Sequence, residues 1–411
     1  MVERPPHYGD RIAVDQQEGG GSPAVIYPGN GVAVSVLVIA ALFVLTQLYA
    51  AIPLLGPVGI SMEADATFAL STCFSVTYAV GFLIWGPISD RYGRKKVMTA
   101  SIGVLAVATL LCSGASSLPI LAGLRALQGA AASGFAPVAL AYLTEAVAPR
   151  WRARAIGAMS AAFLVAGIFG QVLASTIALR ASWSWFFVAC GVVLAMIFTI
   201  ILFSVVEVPN HTPSMTLLQQ FGNLVGLLFR PEIVLLGIAH ITLLLSFVAL
   251  YTGIGHHLED LHVAASNIIL IRLAALPAMF ISLGVGALAE RIGAIRVAQV
   301  GFGLAAVGML GGTFTAQKIS GVVASSIVYV SGVALSIPSM IMLYGETAAP
   351  HRGSGMAING FVLFVGASIG ALVGKAIGGF GTLTLTLVAL LGIAAISLLA
   401  LGAIQRKDSS S

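Results

Sequence analysis

Charge is scarce in this sequence. Only 9% of its 411 residues are Asp, Glu, Lys or Arg, against 58% hydrophobic residues, whereas soluble domains carry roughly 25% charged residues. A water-soluble fold of this length has no way to cover so much apolar surface, so lipid is the expected solvent. None of the 15 acidic residues falls in the middle of a long apolar run, so no carboxylate is expected near the centre of a membrane. Cysteine is nearly absent. Cys73, Cys112 and Cys190 each lie in apolar stretches, which excludes a disulfide framework or a cysteine-rich metal site. Sustained apolar/polar alternation is missing as well, which excludes a β-barrel. The one dense group of potential ligands is His256, His257, Glu259, Asp260 and His262. It falls in a loop and reads as a solvated turn rather than a metal centre. With no other cluster in reacting arrangement, an enzyme is not expected, and no metal or cofactor is implied.

What is abundant is apolar length. A helix crosses a bilayer with about 20 apolar residues. Such runs occur at 31–55, 67–87, 97–115, 119–143, 153–178, 182–205, 232–253, 266–288, 297–315, 320–344, 355–378 and 383–404. The expected fold is an all-α membrane protein of twelve transmembrane helices, arranged as two pseudo-symmetric six-helix bundles. Residues 1–30 are polar, show no cleavable signal pattern, and read as a disordered cytoplasmic tail. The bundles are expected at 31–205 and 232–404, with a second tail at 405–411. Between them, 206–231 carries Leu217, Leu218, Phe221, Leu224, Val225 and Leu228 at helical spacing, with Gln219, Gln220 and Asn223 opposite. That pattern predicts an amphipathic helix in the interface plane.

The net charge of +5 does not point to nucleic acid, because the basic residues sit in short loops between apolar runs. Of the 20 Lys and Arg, only Arg180 and Lys318 fall in loops on one side, and only Arg125, Arg272 and Lys375 fall well inside runs. The excess on the other side predicts cytoplasmic termini in an inner (plasma) membrane. The two halves are also repeats. Gly86-Pro-Ile-Ser-Asp90-Arg91-Tyr-Gly93 recurs 200 positions on as Gly286-Ala-Leu-Ala-Glu290-Arg291-Ile-Gly293. Glu145-Ala-Val-Ala-Pro149 recurs as Glu346-Thr-Ala-Ala-Pro350, and Pro137 as Pro338, both at 201. Parallel repeats of this kind belong to transporters that bind substrate between their halves.

The stretch Gly86 to Lys96, with Asp90, Arg91, Gly93 and Arg94, resembles the signature loop of the major facilitator superfamily. Arg125-Ala-Leu-Gln128-Gly129 is similar to a second motif of that family, and within it the chain looks most like the bacterial drug:proton antiporter and sugar-efflux branch. In the fifth run, Ile168 and Gln171 stand where those antiporters carry Pro and Gly, which leaves the direction of transport open. The resemblance implies that the loop controls a conformational cycle, and that Arg125 is tied to proton coupling. The residues support a latch in their own right. An acid sits among four bases in the first copy, and Glu290 and Arg291 repeat it beside Gly286 and Gly293.

Uncompensated charge inside a membrane is costly and is a functional candidate by default. Arg125, Gln128, Gln47, His240, Arg272 and Asn359 are therefore expected along a coupling or substrate cavity. Arg125 has a structural alternative, bonding to helix-end carbonyls. His240 is either a proton relay or a histidine satisfied by its neighbours, and Lys375 either faces the cavity or snorkels. Gly366, Gly370, Gly374 and Gly378 predict close helix packing. A cavity with bases and no acid favours anionic or neutral solutes. The expected function is proton-coupled efflux of a small organic molecule by a monomer, in exchange for protons. Import or facilitation of a small anionic or neutral metabolite is the alternative, and a membrane-embedded enzyme a remote one.

Overall fold

The computed structural model describes residues 30–208, 217–349 and 352–408. Every regular element among them is helical. Among the described residues, twelve helices are long and apolar enough to cross a membrane: Gly31–Tyr49, Phe68–Ser89, Arg94–Cys112, Leu118–Ala146, Arg150–Arg180, Trp183–Ser204, Pro231–Gly255, Asn267–Ile292, Ala294–Thr315, Ile319–Thr347, Ser354–Ala376 and Phe380–Gln405. They are the first to twelfth spans below. In hydrocarbon each backbone N–H and C=O must find its partner within the protein, and a helix does this within one segment. The apolar runs therefore become helices whatever their β-branched content. The repeated loops end their helices the same way. Gly93 (φ +104°) and Gly293 (φ +87°) both separate consecutive helices, a backbone conformation that side chains resist.

Several spans are interrupted where a single run was expected. The first stops at Tyr49 and resumes as Ala51–Ser61, with Pro57 inside. The second begins with a π-helical turn, Phe68–Thr72. The fourth is Leu118–Ala132 followed by Ala136–Ala146, with Pro137 opening the second piece. The eighth is the most broken: Ala265–Leu273, Leu276–Met279 with Pro277 at its start, a 3-10 turn Phe280–Gly284, and Val285–Ile292. Proline removes a ladder donor and crowds the preceding turn. It does not always break a helix: Pro338, the repeat partner of Pro137, lies inside the continuous helix Ile319–Thr347.

Helices already in lipid gain little from apolar contact with each other, so small residues decide how closely they pack. A methyl added at Gly366, Gly370 or Gly374 would collide with the main chain of the seventh span at Ile241, Leu245 or Ala249. Gly378 does not extend this strip, because the eleventh span ends at Ala376. Gly170 of the fifth span packs on the backbone of Thr46, 3.0 Å from where its Cβ would sit.

The halves meet along two seams. On one, the second span packs against the eleventh, with Tyr78 and Phe82 on Phe364 at 4.3 and 5.3 Å between ring centres. On the other, the fifth span packs against the eighth. The connecting helix, Leu217–Leu228, packs against the second, seventh and eleventh spans, with Leu224 and Leu227 buried. The Leu217, Leu218 and Gln220 side chains lie outside the described residues.

Candidate functional site

The signature loop is held by two carboxylates, one from its own bundle and one from the segment just after it. Arg94 donates from Nη2 and Nε to the Glu145 carboxylate at 2.9 and 3.3 Å, and from Nη1 to Ser89 Oγ at 2.6 Å. Glu207, just past the sixth span, accepts the main-chain N–H groups of Lys95 and Lys96 at 3.0 and 3.2 Å. It thus caps the third span, where anions are favoured. Gly93 makes this possible: a Cβ there would lie 2.8 Å from Glu207 Oε2. Gly86 faces the methyl of Ala357 across the second–eleventh seam, 4.0 Å from its own would-be Cβ. Arg91 lies over the ring of Tyr92. The Asp90 side chain lies outside the described residues. In the second copy, Glu290, Arg291 and Gly293 are exposed, and Gly286 has nothing near its would-be Cβ. Ala294 stands where the first copy has Arg94, so the backbone repeats and the cross-link does not. Glu145 was visible within a repeated motif. Glu207 carried no sequence signal beyond being an acid at a span end.

The six residues expected along one cavity fall in three places. The first is inside the N-terminal half. Arg125 is 1% exposed. Its Nε donates to Leu70 O at 2.8 Å, its Nη2 to Gln47 O at 3.0 Å and its Nη1 to Gln128 Oε1 at 2.9 Å. The guanidinium also lies 4.4 Å from the centre of the Phe74 ring. Gln128 Nε2 donates in turn to Thr109 Oγ1 at 2.7 Å, and Cys112 Sγ lies 3.4 Å from Gln128 Oε1. Two acceptors are where the backbone is irregular: Leu70 in the π-helical turn, and Gln47 in the last turn before the first span stops. The Gln47 side chain turns back to Phe43 O at 3.3 Å, so its contribution comes through its carbonyl. Arg125 thus ties the first four spans together.

The second place is in the C-terminal half. His240 of the seventh span is fully buried, and its Nε2 lies 3.1 Å from Asn359 Nδ2 of the eleventh. Tyr344 of the tenth packs beside it, 5.6 Å between ring centres. His240 Nδ1 and Tyr344 Oη have no hydrogen-bond partner among the described residues. Asn359 also lines a cavity of about 50 Å³ between the halves, with Leu45, Phe82 and Phe163 on one side and Leu244 and Ile337 on the other.

The third place is at the end of the molecule opposite the signature loop. Arg272, 6% exposed, lines a pocket of about 350 Å³ formed by the short helix Ala51–Ser61 and the fifth, seventh and eighth spans. At this same end, on the second–eleventh seam, Lys375 Nζ donates to Asp65 Oδ2 at 2.5 Å. Lys375 therefore has a carboxylate partner in the other half. That donation, with those of the Thr67 hydroxyl and N–H, holds the Asp65 carboxyl well below the usual carboxylate range. His257 does not lie in a loop as expected: the seventh helix runs on to Asp260, so His257 sits near its end, bonds Ala316 O at 2.8 Å and stacks on Phe380.

The chain matches the Major Facilitator Superfamily over residues 37–371. It is 27% identical over 249 residues to an uncharacterized transporter of Buchnera aphidicola, covering 60% of each chain. It is 32% identical over 116 residues to the multidrug export protein EmrB of Haemophilus influenzae, covering 28% of this chain and 23% of that one. It superposes on the human organic anion transporter MFSD10 with a TM-score of 0.70 at 14% identity, covering 90% of this chain and all of the other, a likeness of fold. A family match across both repeated halves, on a frame of twelve helices long and apolar enough to span a membrane among the described residues, shows that this chain belongs to the Major Facilitator Superfamily.

Proposed function

We propose that this chain exports a small organic molecule across the bacterial inner membrane in exchange for protons, by alternating access between two bundles at 31–205 and 232–404. The observation that carries the reading is the cavity walled by side chains of both halves. A site shared by two rocking bodies changes its exposure when they move. With the basic loops on the cytoplasmic side, Phe82, Phe364, Gly86 and Ala357 close the seam inward and the larger pocket opens outward. The likeness to a multidrug export protein supports the outward direction.

The proton is assigned to His240, the one histidine inside a span. With Nε2 unprotonated, the imidazole accepts from Asn359 Nδ2, as the geometry allows. With both nitrogens protonated it needs an acceptor, so the Asn359 amide must turn its Oδ1 toward the ring. Asn359 lines the cavity, so the proton state changes which amide atom substrate meets. Arg125 has its donors on protein acceptors and holds the frame of this machine.

The test is proton release by purified protein, weakly buffered, on addition of cationic, neutral and anionic compounds. One class is expected to release protons, and His240→Gln is expected to abolish release while that ligand still stabilises the protein thermally. Undiminished release from His240→Gln would remove the assignment. A second reading, a facilitator of a small anionic or neutral metabolite, is favoured by one observation. No carboxylate lies near the middle of any span among the described residues. Ligand-induced stabilisation without proton release from the wild type would select it.

A further inference from the structure

We infer that the cavity between the halves takes an uncharged, flat aromatic molecule that carries one N–H or O–H donor. The inference rests on the reading of that cavity as the transport site and adds what the site selects.

The wall shows the body of the ligand. Tyr49, Phe82 and Phe163 of the N-terminal half and Phe364 of the C-terminal half bring four aromatic rings to it. Gly360 adds bare backbone, Asn359 an amide, and the rest of the wall is aliphatic. Among the described residues, no charged side chain lines it. Its volume of about 50 Å³ is well below the roughly 300–1,000 Å³ of a small-molecule site, and the reason is visible at Gly360. A Cβ there would overlap the Phe82 ring, so a ring of the second span lies in the notch that this glycine leaves in the eleventh. Phe364, one turn on, stands 5.3 Å from the same ring. A surface that seats one benzene ring while the seam is closed can seat another when the second span withdraws and takes Phe82 with it. The notch is filled by the protein in one state and by the ligand in the other.

The polar partner is a single amide. Asn359 Nδ2 lies 3.1 Å from His240 Nε2. With that ring nitrogen unprotonated the amide donates to it, and its Oδ1 remains for the cavity that Asn359 lines. A ligand N–H or O–H completes this acceptor. Once both ring nitrogens are protonated the amide must turn, a donor faces the ligand's donor, and the ligand is rejected. Ions fare worse. A carboxylate would give up its water to meet an oxygen and aromatic rings. An ammonium gains a cation–π contact but meets no acid among the described wall residues, and a desolvated ion without a counter-charge loses more than the rings return.

The experiment is calorimetric titration of the full chain in phosphatidylcholine nanodiscs, against empty discs, at about pH 8, above the ordinary histidine range. The ligands are indole, 1-methylindole, indole-3-carboxylate and tryptamine. Saturable indole binding is expected, with the other three each at least about tenfold weaker. Phe82→Ala empties the notch in advance and should tighten indole about tenfold, because the ring no longer has to leave first. Adding Gly360→Ala in that background puts a methyl where the ring lay, without the clash it would meet in the wild type, and should cancel the gain. The ranking of the four ligands on the wild type tests the proposal even if neither variant folds. No saturable indole binding, equal or tighter binding of 1-methylindole or of either ion, an unchanged indole affinity in Phe82→Ala, or a gain that survives Gly360→Ala would overturn it. Proton release is read on the same samples. Indole binding in the expected ranking without proton release keeps the ligand class and sinks the proton-exchange reading. Release triggered by tryptamine or indole-3-carboxylate and not by indole keeps the exchange and sinks the ligand class.

Discussion

Replacing Arg125 by Ala separates a structural tie from a proton relay. Three donors leave Leu70 O, Gln47 O and Gln128 Oε1 without their partner, and Phe74 loses the cation above its ring. Interhelical hydrogen bonds in membranes average about 0.6 kcal/mol each; taking that figure for the bonds to Leu70 and Gln47, and for the bond to Gln128 within the same helix, gives about 2 kcal/mol. The cation–π contact adds about 0.5–2 kcal/mol when desolvated. The expected loss is therefore about 2–4 kcal/mol. Arg125→Lys should recover only part of it, because a compact ammonium does not span three acceptors that a planar fork reaches at once. The assay is reversible unfolding in mixed micelles of dodecylmaltoside and increasing sodium dodecyl sulfate, followed by near-ultraviolet circular dichroism, with pH-driven transport measured on the same preparations. If Arg125→Ala unfolds at the wild-type midpoint and has lost pH-driven transport, the structural account is refuted and a coupling role stands.

Two further perturbations test the packing and the outer seam. Gly370→Ala drives a methyl into Leu245 O and should cost about 1–3 kcal/mol as the seventh and eleventh spans are forced apart; Gly392→Ala, with nothing near its Cβ, should be neutral in the same unfolding assay. Asp65→Asn removes the partner of Lys375. An exposed pair is worth about 0.2–1 kcal/mol, so the variant should lower the population of the arrangement that holds this pair about 1.4- to 5-fold, read by pulsed electron–electron distances across that end of the molecule. The carboxyl pKa is lowered in the folded protein. Its contribution is therefore present above the ordinary carboxylate range and is lost only as pH falls below it. The difference between variant and wild type should stay constant from about pH 8 to about pH 5, and a difference that shrinks across that window would show that the pair is not held as described.

The spans were legible because lipid allows one answer to a long apolar run, and the turns at Gly93 and Gly293 because their backbone conformation favours glycine. The breaks were not legible, and prolines alone do not explain them. Pro137 stands at a break and its repeat partner Pro338 does not. A break in a membrane survives where its freed backbone groups find a partner. In the N-terminal half Arg125 supplies one, reaching Gln47 O beside the first break and Leu70 O in the π-helical turn. Ser326, the repeat partner of Arg125 at the 201 offset, pairs with the Tyr251 hydroxyl instead. Every residue carries a carbonyl, so a sequence cannot show which ones a side chain will reach. The same limit hid Glu207, whose partners are the amides of Lys95 and Lys96, and the Asp65–Lys375 pair, 310 residues apart. An arginine inside an apolar run is thus a question about acceptors. Arg125 meets them within the protein and holds helices together.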